Sequence, residues 1–540
     1  MKHLVILITT IFLLTQCAQI TPLTGGKKDT EAPKVLKCEP ENASLNFNTS
    51  KIEIQFDEYI ILKDLTNQLI VTPQTKELPE VEVQGKKLIV QFKEALLLNT
   101  TYRIAFGNSI VDMREGNILS NFEYIFSTGN SIDSLTLKGT VSNYKNKNKE
   151  NDVVIGLYNA NSNDSVVFNT KPLYITKTNA NGEFIFNYLP QSKYKIVGIK
   201  DNNKNLMYDG SDEQIAFLDD NINTSDNTYH NLVLFKEIPN KSYLKKTIPK
   251  EYGILELVFN KPQAIKTIDS KGIVSYSQNK TKDTLCLYYQ DVYDTLSVSI
   301  KYSENKSEDF KIKIPSRIEF EKLNATKNLK YKLATTPNNN LPYYQNIALL
   351  FNYPITQKQI NSAEILFYEL NDTLEVKKEF KLVLDKEYPS VLSIQTSLKE
   401  ESSYKLIIPT GCIINGNGRF NDSIIYSFKT NSKEDYAQLI ANILFPNKEN
   451  YIVQLLNDKN QVIKEEKVSF SLTSTSEKQF NFNFLPSATY HLQIIEDANK
   501  NGLFDTGDYL KHIQPEKIYI YNQPIKLLSG WELETKWHVN

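Results

Sequence analysis

Two stretches of this sequence occur twice, each time in the same order and without a gap. Residues 102–128 (YRIAFGNSIVDMREGNILSNFEYIFST) align with residues 404–430 (YKLIIPTGCIINGNGRFNDSIIYSFKT). Residues 184–201 (FIFNYLPQSKYKIVGIKD) align with residues 480–497 (FNFNFLPSATYHLQIIED). A repeat of this kind predicts that the same folding unit is built twice, so we expect the order A–B–linker domain–A′–B′.

Apolar and polar residues alternate with a period of two, as in residues 51–56 (KIEIQF) and 87–92 (KLIVQF). Clusters of Asn, Gly, Pro and Asp separate such runs at intervals of about 8–12 residues. Tyr (31 residues) and Phe (26 residues) are plentiful, and aromatic side chains favour strands. The sequence therefore predicts an all-β chain of tandem β-sandwich domains that follow a signal peptide.

Residues 1–17 carry a targeting signal. A short basic start precedes an apolar run at 4–14, which is too short for a bilayer span of about 20 residues but fits a secretory signal. The sequence Leu14-Thr15-Gln16-Cys17 then resembles a bacterial lipobox. The resemblance implies that Cys17 is lipidated and anchors the chain in the outer membrane, on its periplasmic or surface face. Residues 18–30 would form a flexible tether; an ordinary signal peptide with an incidental cysteine is the alternative.

Module A has the features DTEAPKV at 29–35, IQFDEY at 54–59 and FST at 126–128. Together they resemble the bacterial Ig-like domain of S-layer proteins and of many Bacteroidota lipoproteins. Module B, with NGEF at 181–184 and LPQSKY at 189–194, is similar to the carboxypeptidase-regulatory or transthyretin-like sandwich. These resemblances imply an envelope lipoprotein of Bacteroidota and no known reaction.

Five domains are predicted from these features. They are module A (an Ig-like domain, 31–128), module B (a regulatory-like sandwich, 133–237), the linker domain (238–330), module A′ (a second Ig-like domain, 331–430) and module B′ (a second regulatory-like sandwich, 435–540).

A twelve-residue loop with regularly spaced oxygen side chains follows each copy of the second repeat. In module B′ the loop has Gly502 at position 6 and oxygen ligands at positions 1, 3, 5, 9 and 12, namely Asp497, Asn499, Asn501, Asp505 and Asp508. Module B has Leu206 in place of the glycine and keeps Asp201, Asn203, Asn205, Asp209 and Asp212. The spacing resembles dockerin-type loops and predicts structural calcium, which takes roughly six to eight oxygen ligands. The alternative is an Asx-rich turn that satisfies its own backbone.

The triplet Asp-Ser/Thr-aliphatic occurs six times and resembles the O-glycosylation acceptor motif of Bacteroidota envelope proteins. The acceptors would be Ser134, Ser165, Thr284, Thr295, Thr373 and Ser423. Junctions between a turn and a strand produce the same triplet, so an unmodified junction is the alternative.

The sequence contains little that indicates a catalytic site. No HExxH, GxSxG or glycine-rich phosphate loop occurs. Asp57 and Glu58 are adjacent, and neighbouring residues of a strand point to opposite faces, so they are not predicted to act on one substrate. Cys286 and Cys412 lie in apolar runs and are expected to be small buried residues. We therefore predict no catalytic residue.

The net charge of -1, from 62 basic and 63 acidic residues, argues against a nucleic-acid partner.

The leading hypothesis is a non-enzymatic envelope lipoprotein, a calcium-stiffened scaffold or binding protein for an unknown protein or glycan. The alternative is a polysaccharide-binding or polysaccharide-processing accessory protein, for which only Trp531 and Trp537 offer an indole ring. A weaker alternative, suggested by module B, is an accessory of a protease or carboxypeptidase.

Overall fold

The computed structural model describes residues 28–540, except 240, 280, 293, 304–305, 317, 320–327, 334–339, 372–373, 387, 417, 471–475 and 540. The predicted signal peptide, the lipidation site Cys17 and the acceptor Thr373 lie outside the described residues. Strands dominate the described residues, and the two α-helices whose bounds lie wholly within them have four residues each, so the all-β prediction is confirmed. None of the helices in the described part of the chain is both long and apolar enough to span a membrane.

The contacts divide the chain into two compact units. One comprises the described residues up to Asn143 with Lys147–Asp209 and Glu213–Leu234. The other comprises Tyr144–Asn146, Gly210–Asp212 and the residues from Phe235 onward. The finer division into five domains stays a prediction, and the modules are named below by the residue ranges given above.

Module A forms sheets in the orders β1-β2-β6-β5, β4-β7-β9 and β3-β8. Alternation places Ile52, Ile54 and Phe56 of β2 in the core and leaves Lys51 and Gln55 exposed. The elements are β1 (Val35–Glu39), β2 (Lys51–Phe56), β3 (Ile60–Leu62), α1 (Leu65–Gln68), β4 (Ile70–Thr72), β5 (Glu80–Gln84), β6 (Lys87–Gln91), β7 (Thr101–Ala105), β8 (Ile110–Asp112) and β9 (Glu123–Ser127).

Module B forms one sheet in the order β12-β11-β14-β15-β17-β10-β13, with β16 paired to β14. Strands β10 and β17 are parallel. The elements are β10 (Leu135–Asn143), β11 (Val154–Asn159), α2 (Val166–Asn169), β12 (Tyr174–Lys177), β13 (Glu183–Leu189), β14 (Lys193–Ile199), β15 (Gln214–Phe217), β16 (Ile222–Asn223) and β17 (Tyr229–Lys236). Short 3-10 helices lie at Gly210–Asp212 and Thr224–Asp226.

Gly139 of β10 is one position in module B where a side chain does not fit. A Cβ atom there would lie 2.1 Å from the carbonyl oxygen of His230 and 2.4 Å from the ring of Phe184. The close approach lets the Phe184 ring pack directly on the backbone of β10.

The linker domain forms sheets in the orders β18-β19-β22-β21 and β20-β23-β24. Its strands are β18 (Leu244–Glu251), β19 (Ile254–Phe259), β20 (Thr267–Asp269), β21 (Ile273–Gln278), β22 (Thr284–Tyr289), β23 (Thr295–Ser303) and β24 (Lys306–Lys313).

Module A′ forms sheets in the orders β25-β27-β31-β30 and β26-β33-β32-β28-β29. Its strands are β25 (Tyr331–Leu333), β26 (Asn340–Leu341), β27 (Ile347–Phe351), β28 (Leu366–Asn371), β29 (Leu374–Lys377), β30 (Lys381–Leu384), β31 (Val391–Gln395), β32 (Ser403–Ile408) and β33 (Ile424–Thr430). Short 3-10 helices lie at Gln357–Gln359 and Ser362–Glu364.

The first sequence repeat makes the same contacts in modules A and A′. Tyr102 stacks on Phe126 with 5.3 Å between ring centroids, and its hydroxyl accepts a hydrogen bond from the N–H of Leu97. Tyr404 stacks on Phe428 at 5.5 Å, and its hydroxyl accepts from the N–H of Lys399. The repeated residues therefore build the same corner twice.

Module B′ forms sheets in the orders β37-β34-β41 and β36-β35-β38-β39, with β40 paired to β38. Each of these pairings has a counterpart in module B, including the parallel pair β34–β41. The strands are β34 (Ala437–Leu444), β35 (Tyr451–Asn457), β36 (Val462–Val468), β37 (Glu477–Leu485), β38 (Ala488–Glu496), β39 (Ile518–Ile520), β40 (Ile525–Leu527) and β41 (Glu532–His538). Short 3-10 helices lie at Lys433–Asp435 and Tyr509–Lys511.

Candidate functional site

The loop after β38 turns around the carboxylate of Asp497. Asp497 Oδ1 accepts a hydrogen bond from the N–H of Asn501 at 3.0 Å, and Oδ2 accepts one from the N–H of Gly502 at 2.8 Å. Gly502 has φ +70°, a left-handed conformation that glycine adopts without strain. The buried carboxylate at position 1 thus organises the turn at position 6.

The side chains at positions 3, 5 and 9 of this loop meet at one oxygen atom. The amide nitrogens of Asn499 and Asn501 donate to Asp505 Oδ2 at 2.6 and 2.5 Å. The Oδ1 atoms of these asparagines accept from the N–H two residues further on, which makes each an Asx turn. Four of the five predicted ligands are therefore gathered in this turn.

The fifth predicted ligand, Asp508, has another partner. It caps the 3-10 helix Tyr509–Lys511, where its carboxylate accepts from the backbone N–H of Lys511 and, at 2.6 Å, from its Nζ. The corresponding Asp212 ends the 3-10 helix Gly210–Asp212.

The loop of module B is built in the same way. Asp201 accepts from the N–H groups of Lys204, Asn205 and Leu206 at 2.7 to 3.2 Å. The amide nitrogens of Asn203 and Asn205 donate to Asp209 Oδ2 at 2.6 and 2.9 Å. Leu206 adopts φ +62°, so it makes the left-handed turn that the sequence led us to expect only of glycine.

A glutamate closes each loop, half-buried in module B′ (Glu516) and buried in module B (Glu213), and sequence reasoning missed both. Glu516 accepts hydrogen bonds from the N–H groups of Ala498 and Asp505, both at 2.9 Å. Glu213 accepts from the equivalent N–H groups of Asn202 and Asp209, at 2.8 and 3.1 Å. The two glutamates lie 11 and 4 residues after position 9 of their loops, so no common spacing marks them in the sequence.

The surroundings of Glu516 are electrostatically negative. Burial raises the pKa of the Glu516 carboxyl, and the negative charges of Asp505 and Asp497 raise it further, against the effect of its two backbone hydrogen bonds. Burial likewise raises the pKa of Glu213.

The loops fit a calcium ion in composition and only partly in arrangement. Two aspartates, two asparagines and a glutamate form the oxygen-rich set that calcium prefers. However, the asparagine nitrogens face the Asp505 carboxylate, so both amides would have to rotate to present oxygen to an ion. Among the described residues, no group of three or more His, Cys, Asp or Glu side chains is arranged to hold a metal.

The described O-glycosylation acceptors lie at the starts of secondary-structure elements. Ser134, Ser165, Thr295 and Ser423 are exposed, and Thr284 is half-buried. The hydroxyls of Thr284 and Thr295 donate to the preceding aspartates at 3.0 and 3.2 Å. Four of the five are therefore accessible to a modifying enzyme.

The cysteines and the Asp57–Glu58 pair lie apart from these loops in the sequence. Cys412 is buried, while Cys286 is half-buried, and burial raises the pKa of Cys286 to about 11. The thiolate is therefore scarce at neutral pH. Asp57 is exposed and accepts a hydrogen bond from the N–H of Lys34 at 2.8 Å.

The two tryptophans differ in environment. Trp537 is on β41 and is 7% exposed, whereas Trp531 lies just before β41 and is 51% exposed. Of the two indole rings considered for sugar binding, only that of Trp531 is available to a ligand.

Comparison with known proteins supports the assignment of module A. Residues 29–128 match the bacterial Ig-like domain family, which confirms the expected Ig-like domain there. No curated protein matches the sequence.

Solved structures give weaker similarities. The S-layer protein SbsC is 9% identical, with 92% of this chain and 68% of that one covered and a TM-score of 0.14. The TIE protein of Bacillus anthracis is 11% identical, with coverages of 96% and 76% and a TM-score of 0.14. BcpA, the major pilin subunit of Bacillus cereus, is 10% identical, with coverages of 76% and 99% and a TM-score of 0.14. At TM-scores this low, none of the three supports an inference about this chain.

Proposed function

We propose that this chain is a non-enzymatic scaffold or binding protein of the bacterial cell envelope, anchored in the outer membrane by lipid on Cys17. The observation that carries the proposal is the Ig-like domain at 29–128 together with sandwiches that recur along an all-β chain. The lipobox-like sequence before Cys17 supports the anchor and the location.

Contacts between neighbouring modules suit a scaffold. Within the second unit, Glu251 of the linker domain contacts Asn352 and Arg419 of module A′ at 3.0 and 2.9 Å. It also contacts Lys330, the last residue of the linker domain, at 3.0 Å. The hydroxyl of Tyr353 donates to the carbonyl oxygen of Tyr289 at 3.1 Å. Directed polar contacts of this kind resist bending between the linker domain and module A′.

Calcium would stiffen modules B and B′ at their loops. In module B′ the carboxylates of Asp497, Asp505 and Glu516 repel one another, and a divalent ion removes that cost. Asp497, Asn499, Asn501 and Asp505 would hold the ion, while Asp508 stays bonded to Lys511. The role we propose for calcium is structural.

Cell fractionation tests the anchor. Changing Cys17 to Ala should leave the chain without lipid and move it from the membrane to the soluble fraction. Cys38→Ala is the matched control, because Cys38 is a free cysteine within module A, and it should leave partitioning unchanged. If the Cys17 variant stayed in the membrane fraction, the proposed anchor would be wrong.

A second candidate function is polysaccharide binding, which the exposed indole of Trp531 favours. It is compatible with the first, because a scaffold at the cell envelope can hold a glycan.

A further inference from the structure

A concave surface of about 670 Å³ opens beside Trp531 at one end of the sheet β37-β34-β41. We call it the Trp531 cleft. Its wall contains the aromatic residues Trp531, Tyr436 and Phe484 and the amide residues Gln438, Asn481 and Asn483. Its volume falls in the range of about 300–1,000 Å³ that is usual for small-ligand sites.

The aromatic wall of the cleft is rigid before any ligand arrives. Phe484 stacks on Tyr344 with 3.9 Å between centroids and 21° between planes. Tyr436 packs edge-on against Tyr344 at 5.5 Å. Rings that are already fixed lose little conformational freedom when a ligand binds.

The backbone of Trp531 is equally well held. Its carbonyl oxygen accepts from the N–H of Gln438 at 2.8 Å, and its N–H donates to Leu528 at 3.0 Å. Gly530 before it has φ +75° and donates its N–H to Tyr436 at 3.0 Å. The exposed indole is therefore presented from a fixed position beside the sheet.

The fold does not require this tryptophan. In module B′, Ala441 pairs with both Phe480 and Thr535; in module B, Gly139 pairs with both Phe184 and His230. The connection that leads to this strand is two residues shorter in module B, measured from Ile222 to His230 against Ile525 to Thr535, and it passes through the 3-10 helix Thr224–Asp226. The first copy thus forms the same sheet without a tryptophan beside it, which indicates a use for Trp531 other than folding.

The remaining side chains of the cleft match a neutral ligand with many hydroxyl groups. Asn481 and Asn483 are exposed on β37, and each amide offers both donors and an acceptor. The charged residues of the cleft, Lys433, Glu434 and Glu532, sum to one negative charge, which disfavours an anionic polymer.

We propose that the Trp531 cleft binds a neutral glycan chain, with the C–H face of one sugar ring stacked on the indole and its hydroxyls bonded to the amides of Asn481, Asn483 and Gln438. Pyranose rings combine an apolar face with equatorial hydroxyls. The cleft offers a matching pair of surfaces, an aromatic ring for the apolar face and side-chain amides for the hydroxyls. This inference rests on the second candidate function and names its site.

Tryptophan fluorescence of the full chain provides the test. The sequence has two tryptophans, so quenching by acrylamide reports mainly on exposed Trp531. The probes are cellohexaose, laminarihexaose, maltohexaose, mannohexaose and chitohexaose. At least one should shift the emission to shorter wavelength and protect it from acrylamide. No response to any of the five would overturn the proposal.

Calorimetric titration with the responding sugar then locates the site. Trp531→Ala should weaken binding at least roughly tenfold, as expected for an aromatic residue at the centre of an interface, and Trp531→Phe should weaken it less. Tyr229→Ala, at an exposed aromatic of module B (52% exposed), is the control and should bind as the parent does. Binding that survives Trp531→Ala would overturn the site.

Circular dichroism of each variant checks that the strands are intact.

The fractionation of the Cys17 variant does not depend on whether the cleft binds a glycan. Lack of glycan binding with membrane partitioning intact would therefore overturn the inference and leave the anchored scaffold standing.

Discussion

Arg419 donates a hydrogen bond to the carboxylate of Glu251 over 2.9 Å, although 168 residues separate the two in sequence. Their side chains are 18% and 17% exposed. Glu251 ends β18 in the linker domain and also binds Lys330 and Asn352, so one carboxylate holds three partners.

Removing this carboxylate should destabilise the second unit. Glu251→Ala leaves a half-buried guanidinium without its partner, and we expect a loss of about 1–2 kcal/mol, measured by calorimetric unfolding. Glu31→Ala, which breaks an exposed ion pair with Lys34, should change the free energy of unfolding far less. Equal losses for the two variants would contradict the special role of Glu251.

Asp112 should make module A sensitive to acid. Burial would raise its pKa, but hydrogen bonds from the N–H groups of Glu115, Asn117, Gly116 and Arg114 outweigh that effect and hold the pKa below its usual value of 3.8. A carboxyl whose pKa is lowered on folding stabilises the fold above its unfolded pKa, and this contribution is lost as the pH falls through the folded pKa.

Asp112→Asn should therefore lower the melting temperature at pH 7, and the difference from the parent should shrink below about pH 4. Melting curves across this range give the measurement. Asp57→Asn serves as the control, because the exposed Asp57 accepts a single backbone hydrogen bond from Lys34. A difference between Asp112→Asn and the parent that is constant with pH would refute the account.

Calcium should raise the melting temperature of the full chain, and a chelator should lower it. Binding to the native state alone adds about 2.7 kcal/mol at a hundredfold excess over Kd. Asp505→Ala removes the oxygen at which both asparagines meet and should reduce the chelator effect. Asp508→Ala, which removes only the partner of Lys511, should leave it largely intact. A parent melting curve indifferent to chelator would rule out the proposed ion.

Gly139 should tolerate no side chain. Gly139→Ala places a Cβ atom 2.1 Å from the carbonyl oxygen of His230, and overpacking of this kind costs about 1–3 kcal/mol or more. Ala441 holds the equivalent position in module B′, so Ala441→Gly, which removes a methyl group without creating a clash, should cost only about 1 kcal/mol. Denaturant unfolding of both variants measures the contrast.

The strands were predictable because their signal is local. The alternation of apolar and polar residues at 51–56 predicts which side chains enter the core. Because the repeats align without a gap, the same prediction applies to the second copy. Four residues of each calcium-like loop were found for the same reason. Glu516 was not predicted from the sequence. It lies 11 residues after position 9 of its loop, whereas its counterpart Glu213 lies 4 residues after, so no common spacing marks the two.

The position of Asp508 depended on a competing local partner, and the burial of the tryptophans depended on tertiary contacts. The spacing counted Asp508 as a ligand, but Lys511 one helical turn later offers it a closer partner. Both tryptophans lie in one strand-like segment, and the structure buries Trp537 on the inner face of β41 while leaving Trp531 outside the strand.

The parallel pairing of the first and last strands of module B′ has a mechanical consequence. In module B′, residues Gln438–Leu444 of β34 lie in register beside Glu532–His538 of β41, so the chain enters at one end of this pair and leaves at the other. Tension applied to the two ends of the module pulls these strands past each other in shear. The hydrogen bonds between them then share the load, where an antiparallel hairpin pulled from its open end would unzip one bond at a time.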